Sequence, residues 1–184
     1  MSAPRRYDHL GRQPGDPTAE EARARMIRVD HAGEYGAKRI YAGQLAVLGD
    51  HASIRHMAVQ EQKHLEAFEK LMGESRVRPT VLTPLWHVAG FALGAATALL
   101  GEKAAMACTE AVESVIDEHY QRQAEALEPG DAALKSTIEQ FRAEEIEHKE
   151  TAIAAGAHEA PAYPVLTGAI KQASRLAIWL SERI

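Results

Sequence analysis

Glu61-Gln62-Lys63-His64 and Glu145-Ile146-Glu147-His148 decide how this chain is read. Each stretch sets a carboxylate and an imidazole three residues apart, which on an α-helix puts both on one face. The flanking residues say which face it is. Met57, Glu61, His64, Phe68 and Leu71 follow at spacings of three and four, as do Leu134, Ile138, Phe141, Glu145, His148 and Ala152. That spacing marks a core-facing stripe, so both Glu-x-x-His pairs turn inward.

Two further stripes each carry one lone glutamate. Ile27, Glu34, Tyr41 and Leu48 recur at intervals of seven, with Ala37 and Leu45 alongside; Met106, Thr109, Glu113, Ile116 and Tyr120 form the other. The lone glutamates lie 79 residues apart and the Glu-x-x-His pairs 84 apart. The chain therefore reads as two similar halves, each a lone-Glu helix followed by a Glu-x-x-His helix.

A buried carboxylate without a partner is costly and takes up a proton. Four in one bundle repel one another, and two divalent cations would neutralise them while two imidazoles supply neutral nitrogen ligands. Glu34, Glu61, His64, Glu113, Glu145 and His148 are thus the predicted metal ligands, in the pattern of di-iron and di-manganese carboxylate bundles. One Glu-x-x-His on a helix is a common accident. Two, each on a core stripe and each preceded by an in-stripe glutamate, are not. These ligands suit manganese as well as iron.

The neighbours Glu110, Glu144 and Glu147 fall off the stripes and read as solvated, with Glu110 near enough to Glu113 to compete with it. Tyr120 lies one heptad beyond Glu113. It reads either as a core tyrosine or as a hydrogen-bond donor or electron and proton relay beside the metal. His119, one position off that stripe, reads as a group that orients a ligand or as a polar rim residue.

Turn signals divide the rest of the chain into helices. The first opens at Asp16-Pro17-Thr18, capped by Asp16 or by a Thr18–Glu21 capping box, and ends at Leu48. The second runs from Asp50 to Gly73, the third from Thr83-Pro84 to Leu100, and the fourth from Glu102 to Glu128. Asp131 caps the fifth, which ends near Gly156, and a sixth spans about Val165 to Arg183. No strand-like alternation is present. The predicted fold is all-α: a ferritin-like four-helix bundle with a long apolar crossover helix and an added C-terminal amphipathic helix. Residues 1–15 read as a flexible tail and 16–184 as one domain, with the bundle and crossover in 16–156 and the last helix in 161–184.

The 184 residues allow one domain with a full core. A net charge of −5 argues against nucleic acid as a partner. The single cysteine, Cys108, permits no internal disulfide and fits a reducing compartment. The N-terminus shows no targeting signal.

Residues 79–101 contain no Asp, Glu, Lys or Arg. A transmembrane span there would put the two ligand-bearing halves on opposite sides of the membrane, so the segment reads as the crossover of the bundle. In the last helix Leu166, Ile170, Ala177, Leu180 and Ile184 share a stripe, with Lys171, Arg175 and Arg183 elsewhere and Trp179 near the end. That mixture suits a membrane interface.

Arg28-Val29-Asp30-His31-Ala32-Gly33-Glu34-Tyr35-Gly36-Ala37, Ile40-Tyr41-Ala42-Gly43-Gln44, Glu61-Gln62-Lys63-His64-Leu65, Ala107-Cys108-Thr109-Glu110-Ala111-Val112-Glu113 and Glu144-Glu145-Ile146-Glu147-His148 resemble the demethoxyubiquinone hydroxylase family, over about Met26 to Ala155. The resemblance implies two iron ions, with Glu34 and Glu113 as terminal ligands, Glu61 and Glu145 bridging, and His64 and His148 completing each iron. His119-Tyr120 matches a family pair close to the iron. The implied reaction is hydroxylation of a polyprenylated methoxy-benzoquinone, with O2 as co-substrate and NADH or the reduced quinone as ultimate electron source. No Rossmann glycine fingerprint is present for direct NADH contact. The implied partners are a membrane quinone, the membrane surface and either a second copy or other ubiquinone-biosynthesis proteins. The implied location is peripheral, on the cytoplasmic side of a bacterial inner membrane. The competing readings are a ferritin-like ferroxidase or iron store, a di-iron oxygenase with another substrate, and a di-manganese catalase-like site.

Overall fold

The ligand stripes become four long helices. The computed structural model describes residues 15–184, so the tail read at 1–15 lies outside the described residues except for Gly15. The elements are α1 (Ala19–Leu48), α2 (Ala52–Ser75), α3 (Thr83–Leu99), α4 (Glu102–Ala126), α5 (Ala132–Ala154) and α6 (Tyr163–Ser181). Short 3-10 turns at Pro129–Asp131 and Ala157–Glu159 precede α5 and α6. No strand occurs among the described residues. The fold is an all-α, ferritin-like bundle.

Of the two caps read at the first helix, the capping box forms. Thr18 Oγ1 accepts from the Glu21 backbone N–H at 2.9 Å, and Glu21 Oε2 accepts from the Thr18 N–H at 2.7 Å. Asp131 precedes α5, but its side chain makes no cap hydrogen bond; it pairs with Arg23 at 2.6 Å. An arginine within reach outcompetes the orphan backbone donors for that carboxylate.

α1–α2 and α4–α5 are two helical hairpins joined by α3. The crossover lies along α1, while α6 packs on α4. α1 and α3 meet at backbone contact. A Cβ on Gly94 would stand 1.9 Å from the Ile40 carbonyl oxygen, and one on Gly43 would stand 2.1 Å from that of Phe91. Only glycine admits so close an approach.

Two apolar clusters sandwich the ligand layer. Tyr41, Ile54, Met57, Met106 and Ala152 fill one end. Ile27, Phe68, Tyr120, Leu134, Ile138 and Phe141 fill the other. Along each of α1, α2, α4 and α5 the predicted ligand falls between a residue of one cluster and a residue of the other. Among the described residues no helix is long and apolar enough to cross a membrane.

Candidate metal centre

The six predicted ligands converge. Glu34, Glu61, Glu113, Glu145, His64 and His148 are each 2% exposed or less. They form two overlapping groups, Glu34–Glu61–His64–Glu145 and Glu61–Glu113–Glu145–His148, whose ligand atoms lie within 4.8 Å of one another. Glu61 and Glu145 belong to both groups, and the lone glutamates belong to one each.

Both imidazoles turn Nδ1 inward. His64 Nδ1 lies 3.0 Å from Glu145 Oε1 and 3.3 Å from Glu34 Oε2. His148 Nδ1 lies 3.0 Å from Glu145 Oε2 and 3.2 Å from Glu61 Oε1. The outward nitrogens are held too: His64 Nε2 is 2.8 Å from Glu144 Oε2, and His148 Nε2 is 3.0 Å from Gln60 Oε1.

The donor set fits divalent metal. Glu34 Oε2, both oxygens of Glu61, Glu113 Oε2, Glu145 Oε1 and His64 Nδ1 are buried and make no hydrogen bond. Orphaned buried acceptors of this kind are rare, because each one left unpaired costs free energy. Here they all face one volume, where cations would satisfy them together.

Without cations the cluster competes for protons. Burial, and then the other carboxylates, push Glu61 and Glu113 well above the usual carboxylate range. Burial disfavours a charged His64, but Glu145 and Glu34 outweigh it and raise the imidazole to about 11. Glu145 resists its own burial and stays at about 2, because the imidazoles of His148 and His64, each 3.0 Å from it, favour the carboxylate.

Two tyrosines bind the lone glutamates from across the bundle. Tyr41 donates to Glu113 Oε1 at 2.7 Å, and Tyr120 donates to Glu34 Oε1. The heptad position of Tyr120 points to the second contact, and Tyr41 stands at the same interval from Glu34. His119 does not touch the six ligands directly. It is buried, with Nε2 3.2 Å from Asp30 Oδ1, and Gln123 donates to the same oxygen at 2.8 Å.

Two neighbours correct the expectation of solvated carboxylates. Glu110 is buried, and Tyr163 donates to its carboxylate at 2.7 Å. The partner comes from α6, which sequence periodicity within α4 cannot register. Glu144 is half-buried and holds His64. Burial works against its ionisation, but hydrogen bonds from His64 and Gln140 outweigh this and keep its carboxyl below the usual range. Glu147 is exposed, as expected. Cys108 is buried with its thiol pushed up to about 12, so it stays protonated.

Beside the centre is an apolar cavity of about 160 Å³. It lies among α1, α3, α4 and α6, and its walls include Gly33, Ala37, Val112, Ile116, Trp86 and Ala177. Gly33 and Val112 directly precede Glu34 and Glu113, so the cavity reaches the helix turns that carry the lone glutamates.

Comparison with known proteins gives the family. The family model described as ubiquinone biosynthesis protein COQ7 matches residues 21–181. A 3-demethoxyubiquinol 3-hydroxylase of Rhodospirillum rubrum is 58% identical over 177 residues, covering 94% of this chain and 84% of the relative. The NADPH-dependent 3-demethoxyubiquinone 3-hydroxylase of Homo sapiens is 52% identical, covering 92% and 81%. The 5-demethoxyubiquinone hydroxylase of Saccharomyces cerevisiae is 46% identical, covering 87% and 77%. A match over nearly all of the described helices, shared with relatives so similar along most of their length, places this chain in the COQ7 family of ubiquinone biosynthesis proteins.

Proposed function

We propose that this protein is a di-iron monooxygenase that hydroxylates the ring of a polyprenylated demethoxyubiquinone, using O2. The observation that carries the reading is the pair of buried ligand groups sharing Glu61 and Glu145. Glu34, Glu61, His64 and Glu145 would hold one iron, and Glu61, Glu113, Glu145 and His148 the other. Iron held there would supply the reducing electrons and the redox chemistry that activates dioxygen. NADH or the reduced quinone is the ultimate electron source.

The chain's own residues prepare the site. Tyr41 and Tyr120 fix the lone carboxylates by donating to one oxygen each. That leaves the other oxygen of each free of hydrogen bonds for a ligand role. The apolar cavity takes up the quinone and keeps water from the reacting ring. Exposed Leu85, Val88 and Phe91 on α3, with Leu176 and Trp179 on α6, give a surface for peripheral membrane contact. That contact gives access to a substrate dissolved in lipid. We place the protein at the cytoplasmic face of the membrane, as one domain over 16–184.

The test is a single turnover. The protein is loaded anaerobically with ferrous iron, mixed with a short-tailed demethoxy-quinol and exposed to isotopically labelled dioxygen. Label in a new ring hydroxyl is the expected result; the two ferrous ions supply the two electrons of that turnover, and repeated turnover without nicotinamide would make the quinol a sufficient electron source. Fast iron oxidation with an unmodified quinone would move the reading to ferroxidase chemistry.

A further inference from the structure

The two halves of the chain repeat more than their ligands. Tyr41 stands seven residues after Glu34 and binds Glu113; Tyr120 stands seven after Glu113 and binds Glu34. Gln60 precedes Glu61 and holds His148 at 3.0 Å, while Glu144 precedes Glu145 and holds His64 at 2.8 Å. Each imidazole is therefore steadied by the residue just before the shared glutamate of the opposite Glu-x-x-His helix. The two positions correspond in place and differ in chemistry, since one acceptor is a neutral amide and the other a carboxylate. Other corresponding positions differ as well: Gln123 bonds Asp30 where Gln44 bonds Thr109. Those contacts reach His119 in one half and no imidazole in the other, and neither touches His64 or His148.

Resting on the di-metal reading above, we infer that Glu144 and Gln60 are positioning residues that make the two metal sites unequal, with the ion bound by Glu34 and His64 held more tightly than the ion bound by Glu113 and His148. An Nε2–H donated outward leaves Nδ1 as the free donor atom facing the cluster. A carboxylate acceptor draws that proton more strongly than an amide does and increases the donor strength of the ring. Gln140 donates to the other oxygen of Glu144 at 3.1 Å, which fixes the carboxylate in place. Groups that hold a ligating histidine contribute about 10–100-fold to metal affinity, so this difference is large enough to order the two sites.

The test uses Co2+ alone, titrated into metal-free protein and followed by calorimetry and by its visible absorption. Wild type is expected to bind two ions in two steps, separated by about tenfold or more in affinity. Glu144→Gln collapses the steps, and the exchange variant Q60E/E144Q separates them again. Site identity comes from single-site backgrounds. Glu113→Ala keeps the His64 group and Glu34→Ala keeps the His148 group. Adding Glu144→Gln weakens binding about tenfold in the first and leaves the second unchanged. Two equal sites in wild type overturn the inference. So does an E144Q variant that weakens both backgrounds alike, as loss of local packing would. Wild type that binds no Co2+ rejects the di-metal reading itself.

Discussion

Tyr41, on α1, donates its hydroxyl to Glu113 Oε1 on α4 at 2.7 Å, and so ties the first half of the chain to the lone glutamate of the second. Tyr120 makes the reciprocal bond to Glu34. Both tyrosines are 2% exposed or less, so no water replaces a lost hydroxyl. Tyr41→Phe and Tyr120→Phe should each keep the fold and lower metal affinity about tenfold, as loss of a partner to a ligating group does. Metal retained after dialysis against a graded chelator series measures this. Full retention in both variants would reduce the tyrosines to packing residues.

Glu145 reaches both imidazoles, at 3.0 Å in each case, and belongs to both ligand groups. Glu145→Ala should therefore lose both ions and all quinone hydroxylation. Glu34→Ala and Glu113→Ala should each retain about one ion. Elemental analysis per chain separates the outcomes. One firmly held ion in the Glu145→Ala protein would mean that the carboxylate is not shared.

Sequence revealed the ligands because burying a carboxylate breaks a periodic pattern. Glu34, Glu61, Glu113 and Glu145 interrupt apolar stripes, and a stripe needs only spacings of three and four to be seen. The four bundle helices, the crossover and the last helix followed from the same stripes and from Gly and Pro at the turns. Partners contributed by another helix were less visible. Glu110 lies off its stripe, but Tyr163 of α6 reaches it; Glu144 lies off its stripe, but His64 of α2 reaches it. Asp131 satisfied a cap pattern, yet Arg23 of α1 takes its side chain. Each difference is a tertiary contact overriding a rule of local sequence.

Acidity acts in opposite directions on the metal-free and metal-loaded protein. In the metal-free fold Glu61 and Glu113 are raised well above 4.5, by burial first and then by neighbouring carboxylates, and His64 is raised to about 11. Groups raised in the folded state stabilise it most at low pH, and that stability is lost as pH climbs toward their folded values. Glu145, held at about 2, acts the other way, but its contribution is complete by about pH 5. Between about pH 5 and pH 8 the melting temperature of chelator-treated protein should fall. Metal binding must expel those protons, so the gap between loaded and metal-free melting temperatures should widen over the same range. A gap independent of pH would show that binding releases no protons from the cluster.

Ala177 of α6 lines the apolar cavity, while every proposed ligand lies on α1, α2, α4 or α5. Filling the cavity from α6 therefore separates substrate entry from metal binding. Ala177→Phe should leave iron content and the rate of iron oxidation by dioxygen unchanged. It should raise the KM for a demethoxy-quinol at least about tenfold, because the phenyl ring occupies apolar volume that the substrate would otherwise fill. The comparison needs both measurements on one preparation. A fall in iron oxidation alongside quinone turnover would mean that the substitution had disturbed the bundle. An unchanged KM with full iron content would mean that the quinone reaches the centre from another side, and the cavity would then be a packing defect between α1, α3, α4 and α6.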